Sequence, residues 1–111
     1  MTKKLKDISK VFSLALVAFS LAAASPAAAE VIKVDVNKML FSPSKITAHI
    51  GDTIEWTNSD FVDHTATDKN GKWEVMLPVK GKGTTILKEA GKIEYYCKYH
   101  PNMKGQIAVI K

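Results

Sequence analysis

The sequence predicts an all-β fold, a small antiparallel β-sandwich, and three observations carry that expectation. Apolar residues alternate with polar ones at period two in short runs, the pattern of strands with one buried face. Turn residues punctuate those runs at close intervals. No 3.6-residue periodicity is sustained beyond the N-terminal segment, so helices have no amphipathic stripe to bury.

Taken in order, Ile32, Val34 and Val36 alternate with Lys33 and Asp35 as a first strand, and Phe41-Ser42-Pro43-Ser44 turns the chain. Ile46 to Ile50 forms a second strand, with Ile46, Ala48 and Ile50 on one face and Thr47 and His49 on the other; Gly51-Asp52 is a tight turn. Ile54 and Trp56 mark a third strand. A polar turn, Asn58-Ser59-Asp60, precedes a fourth strand from His64 to Thr67, which ends at the hairpin signal Asn70-Gly71. Gly81-Lys82-Gly83 reads as a flexible turn into a strand from Thr84 to Leu87; it lacks phosphate-loop spacing and leads into no helix. Ile93, Tyr95 and Cys97 alternate with Glu94 and Tyr96, and Gln106 to Lys111 closes the sheet. Trp56, Phe41, Met39, Tyr95, Tyr96 and Met76 are expected in packing roles.

The N-terminus has a different character. Lys3, Lys4, Lys6 and Lys10 are followed by an apolar run from Val11 to Ala24 and by Ala27-Ala28-Ala29. This is the pattern of a cleavable signal peptide over 1–29, with the cut before Glu30. The run is shorter than the roughly 20 residues of a membrane span. The chain contains no Arg, which excludes a twin-Arg signal and leaves Sec-type export to the periplasm, with no stable membrane anchor. The remaining domain, 30–111, is long enough for one domain and short for a sandwich, so trimmed loops or a missing edge strand are expected. The whole chain carries a formal +5, but twelve lysines against ten acids in 30–111 leave only +2. That balance gives no argument for nucleic-acid binding.

The sole cysteine, Cys97, lies in I-E-Y-Y-C-K-Y-H-P-N-M-K-G. A lone thiol is a liability in an oxidising compartment unless it is buried or ligated. His100 and Met103 follow at intervals of three, so one short loop offers a thiolate, an imidazole and a thioether. Two His and one Cys in a plane with a weak axial Met make a blue-copper donor set. The loop supplies three of these four. Of the other histidines, His49 sits on the polar side of its strand and reads as solvent-facing. His64, at a strand entrance, reads alone as an ordinary loop residue, but with the downstream loop it is the candidate for the missing ligand.

The arrangement H…C-x-x-H-x-x-M followed by K-G-Q-I-A-V-I resembles the cupredoxins, and the short spacing with Pro101 after His100 is most similar to their amicyanin and plastocyanin-like bacterial branch. The resemblance runs from about Val31 to the C-terminus. It implies a Greek-key sandwich holding one type 1 copper ion on His64, Cys97, His100 and Met103. The implied role is single-electron carriage by Cu(II)/Cu(I) cycling, as a monomer, with His100 as the exposed port. Donor and acceptor would be redox proteins, such as a cytochrome c or a dehydrogenase, docking near His100 and Pro101. Thr65 departs from the family, which often has Asn after the first His to tie the ligand loops together; here that link is either weaker or made by the hydroxyl. Lys98 and Lys104 add charge to the rim, or are plain solvated surface.

The competing reading is a copper-handling protein, which would favour Met- or His-rich open tracts that this chain lacks. A copper enzyme needs a second metal site, and after four ligands only His49 remains. Structural zinc sites favour several Cys or His and not Met.

Overall fold

The computed structural model describes residues 28–111, so the expected signal peptide lies almost wholly outside them. The described residues form nine strands and no helix: β1 Val31–Asn37, β2 Leu40–Ser42, β3 Lys45–His49, β4 Thr53–Asn58, β5 His64–Asp68, β6 Glu74–Leu77, β7 Lys82–Ile86, β8 Gly91–Cys97 and β9 His100–Ile110. No helix among them is long and apolar enough to cross a membrane.

Two sheets result, one ordered β3-β9-β8-β5-β6 and the other β2-β1-β4-β7. The expected all-β sandwich is what the chain forms. Its pairing is antiparallel with two exceptions, since β1 and β4 run parallel, as do β3 and β9. Alternation and turn signals do not announce these two parallel pairs. Between β1 and β4 the chain visits the opposite sheet as β3, and such a crossover brings a strand back in the same direction.

Period two does set the faces. Val34, Val36, Ile54, Trp56, Tyr95, Cys97, Ile107 and Val109 are buried between the sheets. Tyr95 anchors this core. Its ring lies 4.8 Å from Phe41 and 5.4 Å from Trp56, and its hydroxyl accepts a hydrogen bond from Trp56 Nε1 at 3.2 Å. Burial pushes the Tyr95 phenol up to about 12, with the Trp56 bond acting against it.

Several expectations on elements are corrected. Strands β2 and β6 were not anticipated, being too short for a periodic signal. Lys82 and Gly83 belong to β7, and not to a flexible turn: a Cβ on Gly83 would collide with Val75 and Leu77, so the glycine lets β7 approach β6 closely. The closing strand begins at His100, well before Gln106. Met39, Ile50 and Met76 are exposed. The strands are joined by short connections.

Three such connections matter below. Lys38 and Met39 both take positive φ, 54° and 62°, to turn β1 into β2, an unfavourable conformation for residues with side chains. Asp60 accepts the backbone N–H of both, at 2.7 and 3.1 Å. The loop after β4 is folded by buried Asn58, whose Nδ2 donates to the Val62 and Leu77 carbonyls at 2.9 Å while its Oδ1 accepts from Asp60 N–H. At the opposite end of the sandwich, buried Asp52 accepts from the backbone nitrogens of Glu30 at 2.9 Å and His49 at 2.8 Å.

Candidate metal centre

β8 delivers Cys97 to the end of the core because it shares the inward face with Ile93 and Tyr95. The thiol is fully buried. The chain then turns at once into β9: His100 pairs with Cys97, and the next ladder pair is Lys104 with Tyr96, so 101–103 bulge out of register. The bulge seats Met103 in the core, 2% exposed, and leaves Pro101 and Asn102 outside. The expected open turn is thus a bulged hairpin, in which extra residues bend the strand around one point. His64 opens β5, beside β8, and is fully buried.

These placements bring the predicted residues together. His64 Nδ1 and His100 Nδ1 each lie 3.7 Å from Cys97 Sγ, and all three donor atoms fall within 4.8 Å of one another. A thiolate and an imidazole bound to one metal in a trigonal plane, with bonds of about 2.3 and 2.0–2.1 Å as for zinc, stand about 3.8 Å apart. The observed separations fit that plane. The donor chemistry, two imidazoles and a thiolate with Met103 buried in the same core, suits copper. The candidate donors are graded in exposure: His64, Cys97 and Met103 are buried, and only His100 is half-buried.

The protein fixes how the donors point. His64 Nε2 is 2.8 Å from Asp60 Oδ2. An ionised carboxylate only accepts, so in neutral His64 the proton is on Nε2 and the Nδ1 lone pair faces the sulfur. Burial opposes ionisation of Asp60, but hydrogen bonds from Met39 N–H, His64 and Lys38 N–H outweigh it and hold its carboxyl below the ordinary value. Cys97 Sγ accepts from Thr65 N–H at 3.4 Å. Thr65 does make the link between the ligand loops: its hydroxyl accepts the Lys98 N–H at 3.0 Å.

His49 stands apart as expected. It pairs with Ile110 at the far end of β9 from His100, its side chain is 63% exposed, and it lies 4.0 Å from Asp52. Lys98 is not free rim charge, since its Nζ is 2.9 Å from Glu74 Oε2. Sequence reasoning missed Asp60, which it treated as turn chemistry. Its place four residues before His64 was the available signal.

Comparison with known proteins agrees with this geometry. The cupredoxin-like domain family matches residues 10–109. Amicyanin of Paracoccus denitrificans is 32% identical over 94 residues, covering 75% of this chain and 71% of its own. Amicyanin-alpha of Methylorubrum extorquens is 30% identical over 101 residues, covering 86% and 85%. Among solved structures, the Cu(I) form of an amicyanin variant superposes with a TM-score of 0.64 at 28% identity, covering 80% of this chain and 90% of that one. With the His-Cys-His cluster set at one end of a two-sheet sandwich, these similarities place the chain in the cupredoxin family, alongside the amicyanins.

Proposed function

We propose that the chain is a type 1 blue-copper electron carrier, in which His64, Cys97, His100 and Met103 would hold the copper ion. The observation that carries this reading is the convergence of two imidazole Nδ1 atoms on one buried sulfur at 3.7 Å each, with Met103 seated in the same bulge. Copper bound there would supply one-electron chemistry by alternating between Cu(II) and Cu(I).

The chain's own residues do the rest. Asp60 and Thr65 fix the His64 ring and the sulfur before any metal arrives, which limits rearrangement when the charge changes. Full burial of Cys97 keeps water from the sulfur. His100 is the most exposed donor and so the port for electrons. Tyr99 and Pro101 flank it in sequence and are exposed, and the loops before His64 and after β6 expose Phe61, Val62 and Val79, with Lys80 Nζ over the Phe61 ring. That apolar rim supports docking of a redox protein, a cytochrome c or a dehydrogenase, near His100 and Pro101. The proposal includes a signal peptide over 1–29, a monomeric domain over 30–111 and a periplasmic site of action. It includes no catalysis, since the remaining histidine, His49, sits at the opposite end of the sheet.

The test is an absorption spectrum of the copper-loaded domain. An intense blue band that bleaches and returns reversibly on reduction and oxidation supports the carrier. A colourless protein that takes only Cu(I) and passes it on readily would replace the carrier with copper handling.

A further inference from the structure

Thr65 belongs to a closed circuit of hydrogen bonds reaching from the sulfur to the protein surface. Its hydroxyl accepts the Lys98 N–H at 3.0 Å and lies 2.8 Å from the hydroxyl of Thr67. Thr67 lies 3.1 Å from Glu74 Oε1, and Glu74 Oε2 accepts from Lys98 Nζ at 2.9 Å. Thr67 and Glu74 are register partners across β5 and β6, so the ladder itself supports their contact.

The direction of the circuit follows from the inventory of protons. Glu74 is ionised, held below the ordinary carboxyl range first by its bond from Lys98, and can only accept. The Thr67 proton therefore goes to Glu74. The Thr65 proton must then go to Thr67, which leaves the Thr65 oxygen a lone pair for Lys98 N–H. Each group has one arrangement within the circuit; Thr65 is fully buried and Thr67 nearly so. Lys98 N–H lies on the peptide that leaves Cys97, and Thr65 N–H is the donor to Cys97 Sγ. The circuit thus holds the turn carrying the sulfur against the strand carrying its hydrogen-bond donor.

We infer that Thr67 and Glu74 are positioning residues for the copper centre: acting through Thr65, they hold the Cys97–His100 turn and keep the Thr65 N–H on the sulfur. This rests on the copper reading above. Hydrogen bonding at a ligating sulfur is one determinant of the potential of such a site. A sulfur that loses its donor gives more charge to the metal, which favours Cu(II).

The test combines hydrogen exchange of backbone amides, on the chain without metal and loaded with Cu(I), with the potential of the copper-loaded protein. In Thr67→Val the amides of Lys98 and Thr65 exchange about fivefold faster or more, the scale of one neutral hydrogen bond. The potential falls below that of the unaltered protein. Thr67→Ser restores both, because it restores the hydroxyl. Glu74→Gln keeps an acceptor for Thr67 and is expected to sit between the two. Amides of Val34 and Ile54 in the other sheet report global opening. If they accelerate as much as Lys98, Thr67 is a stability residue and the inference fails. It also fails if Thr67→Val leaves both Lys98 exchange and potential unchanged. Because the metal-free arm requires no copper, a chain that never turns blue would overturn only the carrier reading, while unchanged Lys98 exchange in metal-free Thr67→Val would overturn this one.

Discussion

Tyr95 lies flat on Gly105, its register partner across β8 and β9, so closely that a Cβ on Gly105 would enter the phenol ring. Gly105 occupies an inward position between Met103 and Ile107, where a side chain would otherwise project into the core. Its absence lets Tyr95 reach Trp56 in the opposite sheet. Gly105 thereby leaves room for a ring two residues before the sulfur. Gly105→Ala is expected to destabilise the fold by about 1–3 kcal/mol, the scale of overpacking a filled core. Denaturant melts would show this, and a broadened blue band would show that Cys97 has moved with Tyr95.

The chromophore depends on the thiolate. Cys97→Ser should remove the blue band of the copper-loaded protein while leaving the sandwich folded, since serine is nearly the same size. Absorption and far-ultraviolet circular dichroism on one sample check both halves. His49→Ala is the control and should remain blue. A blue Cys97→Ser protein would remove Cys97 from the ligand set.

Met103 should tune more than it holds. As a weak axial donor it stabilises Cu(II) more than Cu(I), so Met103→Leu should raise the potential while copper stays bound. The swap is close to volume-conserving in the core and should cost less than about 1.5 kcal/mol of stability. Voltammetry decides the first point and thermal melting the second. A lowered potential or complete loss of copper would contradict the axial assignment.

Acid should loosen the end of the molecule remote from the metal. Hydrogen bonds from Glu30 N–H and then His49 N–H hold the Asp52 carboxyl below its ordinary value. A depressed carboxyl contributes stability above its unfolded pKa of about 3.9, and that stability is lost as pH falls through the lower folded value. The melting temperature should therefore decline as pH drops below about 5, and Asp52→Asn should lower it at neutral pH and flatten that decline. An unchanged slope in Asp52→Asn would assign the acid sensitivity to other groups.

The legible parts of this protein are those written in local spacing. Alternation put Tyr95 and Cys97 on the inward face, and the intervals of three placed His100 and Met103 within reach of the sulfur. His64 was identifiable because the loop lacked one ligand. What could not be read is carried by contacts between residues far apart in sequence. Asp60 supports His64, yet it is also fixed by a strained turn at Lys38 and Met39 that no periodicity announces. Thr67 and Glu74 looked like ordinary strand and surface positions until β5 and β6 were paired. Short β2 and β6 escaped notice because a few residues do not establish a period, and the parallel pairs depend on which sheet the chain enters, a choice made by tertiary packing.

The Glu30 nitrogen that donates to Asp52 has a further meaning if export cuts the chain where proposed. Cleavage before Glu30 converts that amide into a terminal ammonium, already 2.9 Å from a buried carboxylate that also holds the turn after β3. The ionised carboxylate already strengthens that bond, and a terminal ammonium adds direct Coulomb attraction to it. Removal of the leader would then tighten the domain it releases, so that the precursor is the looser form during translocation and the finished protein the firmer one. The same reasoning bears on laboratory samples: a chain begun with an added methionine or a tag before Glu30 loses that charge at Asp52 and should melt below the authentic one.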